Sequence, residues 1–241
     1  MTDTYIKPLL NFLAMLAVFN LSSCGIENYI YLAPVTSISR TIDTISVTLP
    51  NGDQPDVFFS GYSIYYKIYK SSQELTTVIS TADFSSINKT MASDYAKIAP
   101  YLSTDALSAI NMDAFFTSSS YGLTFFKLQT QTESENIDNL LNGSNSSFAI
   151  KTDDTSGLVI EISSTKYTLV RSVSNSQTTS NKFIYSDNLS GDDVIVSEEG
   201  LPTTAYVLFF IVAYGVDEYG SPIFSRPAML GVLQLPQNNY L

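Results

Sequence analysis

Apolar residues recur at every second position in several short runs. Thr44–Leu49 places Ile45, Val47 and Leu49 on one side and polar residues on the other, the mark of a half-buried strand. The cluster Pro50-Asn51-Gly52-Asp53 then predicts a turn. In Tyr62–Tyr69, one face carries Tyr62, Ile64, Tyr66 and Ile68, and the other Ser63, Tyr65, Lys67 and Tyr69. Lys67 marks the second face as the wetter one. Further strands are expected at Gly157–Ser163, Tyr167–Val173 and Phe183–Tyr185, with Asn175–Asn181 as a polar turn. The unbroken run Ala205-Tyr-Val-Leu-Phe-Phe-Ile-Val-Ala213 reads as a buried strand, followed by Pro222–Leu235 after the turn Gly215–Gly220.

Between about Ser72 and Ser156 the period changes. Asn88–Ile98 and Thr104–Ile110 carry apolar residues at helical spacing, with Pro100 between them and Ser103 placed to cap the second. Leu123–Leu128 is expected as a short strand, and Thr132–Ser147 as an acidic polar loop. Many short strands with helices confined to one stretch predict a mainly β protein, an antiparallel β-sandwich with a partly helical insertion at about 72–156.

The amino-terminal residues follow neither pattern. After a short polar start ending at Lys7, Pro8–Leu21 is apolar apart from Asn11 and Asn20. A run of about 14 residues falls short of the roughly 20 needed to cross a bilayer and fits a secretory signal. It ends in Leu21-Ser22-Ser23-Cys24, which resembles the lipobox of bacterial lipoproteins: an aliphatic residue, two small residues, then cysteine. The resemblance implies that residues 1–23 are a signal peptide, that Cys24 is lipidated and becomes the first residue, and that 24–32 is a tether to a domain at 33–241. Gly25, rather than Asp, follows the cysteine; in Gram-negative members of the family that favours the outer membrane. No other apolar stretch is long enough to span.

Composition narrows the chemistry. Among 241 residues there is no His, no Trp and one Cys, and 12 cations face 23 acids for a net charge of −11. No internal disulfide or cysteine-cluster zinc site can form, and the usual general base is missing. The acidic balance disfavours nucleic acid and other polyanions. There is no GxSxG and no SxxK, and nothing in the spacing selects a pair of carboxylates for glycoside hydrolysis. The loop 187–199 holds Asp187, Asp192, Asp193, Glu198 and Glu199. It lacks the alternate spacing of a calcium loop and is expected to be a solvated segment whose charges repel, although cation binding stays open. No catalytic, metal or cofactor-binding residue is assigned. Tyr65 and Tyr69 could offer exposed contact area to a protein or glycan, or fill the core in place of Trp; the core is the expectation.

The strands at the two ends of the domain resemble a fibronectin type III domain. Gly61-Tyr62-Ser63-Ile64-Tyr65-Tyr66 is similar to that family's strand C, with Thr44–Leu49 in the place of strand B. Ile211-Val212-Ala213, Gly220 and Ser225-Arg226-Pro227 follow the order of its strands F and G. The strand B Trp is absent, Tyr206 stands one residue from the expected strand F tyrosine, and the C-to-F spacing is far longer than in the family. The two resemblances together imply a lipid-anchored protein of the bacterial envelope, a non-catalytic binding, adhesion or structural module, its partner surface in the insertion or the F–G turn. The alternative is an envelope hydrolase or transport accessory that works through carboxylates.

Overall fold

The computed structural model describes residues 32–55, 58–70, 89–102, 110–131, 136–172, 181–186, 189–196 and 204–237. Alternation becomes structure at once in the hairpin of β1 (Ser37–Arg40) and β2 (Thr44–Thr48), where Ile45 and Val47 turn inward and Ser46 and Thr48 outward. β3 (Phe59–Lys70) is followed by the helix α1 (Lys89–Leu102), α2 (Met112–Thr117), the two-residue strands β4 (Phe126–Lys127) and β5 (Gln129–Thr130), and one turn of helix, α3 (Ile137–Leu140). The rest is β6 (Ser147–Asp153), β7 (Gly157–Ile162), β8 (Thr165–Val170), β9 (Val194–Val196), β10 (Ala205–Val216), β11 (Pro222–Phe224) and β12 (Ala228–Gln234).

The strands form two six-stranded sheets, so the protein is mainly β and built as a sandwich. The first runs β1-β2-β6-β7-β8-β5; in the second, β11 and β12 both pair with β10, β10 with β3, and β3 with β4 and β9. All pairs are antiparallel except β3 with β9. The chain passes from one sheet to the other at Leu128, between β4 and β5; its N–H donates to the Ile64 carbonyl at 2.8 Å.

The long ribbon β3–β10 has a core on each side. Tyr62, Ile64, Tyr66 and Ile68 meet Val207, Phe209 and Ile211 in the core between the sheets. The intervening positions, Tyr65 and Tyr69 with Tyr206, Leu208, Phe210 and Val212, form a second core with Met91 and Ile98 of α1 and Met112, Phe115 and Phe116 of α2. A strand buried on both faces loses polar alternation, which is why β10 is a continuous apolar run. It also corrects the expected wet face of β3: every residue from Gly61 to Lys70 is buried, Lys67 included.

Other expectations shift. The stretch 72–156 does not stand apart from the sandwich as a whole, because its last part, β6, is an inner strand of the first sheet, between β2 and β7. α1 continues through Pro100 to Leu102; the proline removes only one N–H near the helix end, and the Tyr101 ring packs at a tilt against Phe115 with ring centroids 4.7 Å apart. Residues 103–109, including the Ser103 cap and most of the expected helix 104–110, lie outside the described residues, as do Asn175–Ser180. A helix begins instead at Met112, where the Asn111 side chain accepts from the Ala114 N–H at 3.1 Å. Thr124 sits at φ 48, a conformation that breaks the expected strand 123–128 down to Phe126–Lys127. In place of the expected strand Phe183–Tyr185 there are isolated bridges, of Lys182 with Val170 and of Tyr185 with Gln237.

The free edges of the two sheets, β1 and β12, lie side by side. A bulge in β12 leaves Leu230 without a partner between Phe209↔Gly231 and Phe210↔Met229. Arg40 of β1 reaches across, Nε donating to the Leu230 carbonyl at 2.6 Å and Nη2 to that of Met229 at 2.8 Å. Gly231, at φ +134, leaves room for it, since a Cβ there would lie 2.9 Å from the Arg40 side chain. Arg40→Met is expected to destabilise the domain by about 1.5 kcal/mol, the scale of hydrogen bonds from a charged donor. An unchanged urea midpoint would show that these two bonds contribute nothing.

Candidate functional site

β3 supplies the polar side chains that converge beneath the helices. Lys67 Nζ donates to Asp94 Oδ2 of α1 at 3.1 Å and to the Leu123 carbonyl at 2.6 Å, and Tyr69 OH donates to the same carboxylate oxygen at 2.5 Å. Lys97 approaches the other oxygen at 3.6 Å. The cluster is closed: the side chains of Lys67 and Asp94 are 4% and 5% exposed. Nearer the surface, Tyr65 OH donates to Asp113 Oδ1 at 3.0 Å and Ser63 Oγ to Asp138 Oδ1 at 3.1 Å. Lys127 sits between the two carboxylates, 3.3 Å from Asp113 and 3.5 Å from Asp138. One ammonium is thus shared by two carboxylates. Burial first, and the Asp113 charge second, hold the Tyr65 phenol far above its ordinary range. Burial and then Asp94 do the same for Tyr69. Both phenols stay protonated and serve as donors. Tyr65 and Tyr69 are thus core residues, and the reading that exposed them for contact is overturned.

The acidic loop divides. Asp192 is exposed, whereas Asp193 is fully buried. Arg171 grips it with both arms of its guanidinium, Nε donating to Oδ2 at 2.8 Å and Nη2 to Oδ1, while Nη2 also donates to the Ser190 carbonyl. Tyr66 OH donates to Oδ2 at 2.9 Å and accepts from the Ser172 N–H. Burial alone would lower the Arg171 pKa, but the Asp193 hydrogen bonds and charge outweigh it and raise it. The expectation of a wholly solvated loop is therefore corrected at Asp193. Asp187, Glu198 and Glu199 lie outside the described residues. Asp153 behaves as a turn residue, accepting from the Thr155 and Ser156 N–H groups, and these bonds hold its carboxyl below the usual range.

An open concavity lies elsewhere, on the outer face of the first sheet. Cross-strand register brings Ser37, Thr48 and Ser147 into one row, and Ser39, Ser46, Ala149 and Glu161 into the next. With the turn residues Ser163 and Ser164, they line a depression of about 460 Å³. Its inward neighbours Val47, Phe148 and Ile150 are core residues, so the hydroxyls stand on a packed floor. Lys151 Nζ donates to Glu161 Oε2 at 2.8 Å, and that bond holds the Glu161 carboxyl below its usual range. Such a surface can donate and accept hydrogen bonds.

These serines escaped sequence reading because an outward Ser on a strand carries no local signal until register aligns three strands. Cys24 and the residues around it lie outside the described residues. Among the described residues, no group of three or more metal-ligating side chains gathers, and no helix is long and apolar enough to cross a membrane. No protein-family model, curated protein or solved structure matches the chain.

Proposed function

We propose that this is a lipid-anchored protein of the bacterial envelope, acylated on Cys24, whose β-sandwich is a non-catalytic binding or structural module. The observation that carries the reading is the sequence Leu21-Ser22-Ser23-Cys24 closing an apolar run about 20 residues from the first Met, with the one cysteine of the chain in the reactive position. Each buried methylene contributes about 0.8 kcal/mol, and one acyl chain binds only marginally, so stable attachment rests on two or more chains on that sulfur. Gly25 favours the outer membrane.

The module reading is supported by how the buried acids are used: Asp94 and Asp193 are both held by cations and tyrosine hydroxyls. The depression, lined by hydroxyls and the Glu161 carboxylate, offers a hydrogen-bonding surface to a protein or glycan partner. Strand order supports kinship with fibronectin type III and immunoglobulin-like sandwiches. There, strands A, B and E share one sheet and C, F and G the other; here β1, β2 and β6 take the first places and β3, β10 and β11 the second. β7 and β8 then extend the first sheet beyond that plan.

Cys24→Ala tests the anchor. The variant is expected to take up no labelled fatty acid, to accumulate as unprocessed precursor, and to appear without acyl mass. Normal processing and acylation of the variant would overturn the assignment.

A further inference from the structure

The two ends of the sandwich differ. β3 begins where β10 ends, with Phe59 opposite Gly215 and Lys70 opposite Ala205. The chain enters the domain at the Phe59 end: Ala33 exchanges two hydrogen bonds with the Gln54 amide, at 3.0 and 2.8 Å, and Ser37 pairs with Thr48 just before that turn. Among the described residues, the large apolar side chains standing out at this end are on one hairpin, Val216 at 46% and Tyr219 at 84% exposure. Ile42 and Val196, also exposed, lie at the opposite end, in the β1–β2 turn and beside Lys70, and the exposed Tyr121 packs against Phe115 in the helical layer. The hairpin is braced to hold its tip outward. Asp217 Oδ1 accepts from the Tyr219 and Ser221 N–H groups at 2.9 and 2.7 Å, Gly220 supplies φ +79, and the Val216 N–H donates to the Phe58 carbonyl at 3.0 Å.

We propose that the hairpin Val216–Ser221 rests on the lipid surface to which the protein is tethered, with the Tyr219 ring at headgroup depth. The inference rests on acylation of Cys24. Eight residue steps separate Cys24 from Leu32; at no more than about 3.6 Å each they reach roughly 29 Å. β10, of 12 residues, spans ~40 Å at about 3.3 Å per residue. The tether is shorter than the domain is long. The entry end therefore stays close to the bilayer, and the Ile42 end cannot be presented to it tip first. Tyrosine suits that boundary, with an apolar ring for the acyl region and a hydroxyl for water. Asp217 and Glu218 beside it match zwitterionic rather than anionic headgroups. Docked in this way, the hairpin is withdrawn from soluble partners, and the outer face of the first sheet remains open.

The absence of tryptophan makes the test clean. Tyr219→Trp and, separately, Ile42→Trp are made in the full chain, purified from membranes, and placed in phosphatidylcholine vesicles with spin-labelled lipid. The acyl mass on Cys24 is measured on the same samples. In acylated protein, the indole at position 219 is expected to shift to the blue and lose about half its emission, as at an interfacial site, while the indole at 42 is unaffected. Acylated protein with equal, water-like emission at both positions overturns the docking and leaves the anchor standing. Protein without acyl mass overturns both. Shielding of position 219 only when envelope proteins are added shows a protein occupant and overturns the lipid assignment.

Discussion

Asp193→Ala is expected to destabilise the domain by about 3–5 kcal/mol, since it strands the Arg171 guanidinium in a closed site. The side chains are 2% and 0% exposed, so water cannot replace the lost carboxylate without opening the structure. Tyr66 loses its acceptor at the same time. For a domain whose net stability is of the order of 5–15 kcal/mol, the loss is about a fifth of the total or more. The cause is the uncompensated charge rather than the loss of an attraction, and a second variant separates the two. Arg171→Met combined with Asp193→Leu removes both ions and is expected to recover most of the stability, short by about 1 kcal/mol for the unsatisfied tyrosine hydroxyl. Urea unfolding of the chain from Gly25 onward measures both. A single variant within 1 kcal/mol of the parent, or a double variant as weak as the single one, would contradict this account.

Asp94→Ala is expected to cost a similar amount, about 3–5 kcal/mol, but locally. It leaves Lys67 with one carbonyl acceptor and Tyr69 with none, under α1 rather than between the sheets. The cheapest relief is to lift α1 from the β3–β10 ribbon and let water reach the ammonium. The core between the sheets shares no residue with the one that would open. Amide hydrogen exchange should therefore accelerate over Met91–Leu102 and the facing positions while β2, β6 and β7 keep their protection. Uniform loss of protection across both sheets would show that the helical layer and the sandwich unfold as one.

The strands were legible where alternation or an apolar run marked them, as in β2, β3, β7, β8 and β10. β6 carried the same signal in Phe148 and Ile150, two apart, but only its pairing with β2 and β7 shows that it belongs to the sandwich. Lys67 and Asp193 misled for one reason. A charged residue in sequence points to water, and what reverses that is a partner far along the chain: Asp94, 27 residues away, and Arg171, 22 away. The α2 helix had a local cue, Asn111 before Met112, weaker than the proline and serine that drew attention upstream. The cysteine motif is different in kind. The lipoprotein reading proposed above rests on the linear string Leu21–Cys24 alone, outside the described residues.

If the protein is acylated as proposed, the Arg40 clasp gains a further meaning. Tethered proteins meet their neighbours in two dimensions, upright and at high local density, with their strand edges presented sideways to one another. An open backbone ladder in that setting invites each molecule to recruit the next into a continuous sheet. By occupying the carbonyls of Met229 and Leu230, one guanidinium turns two adhesive margins toward each other. On the anchor proposed above, this pair of margins would be closed to strand addition by a neighbouring molecule.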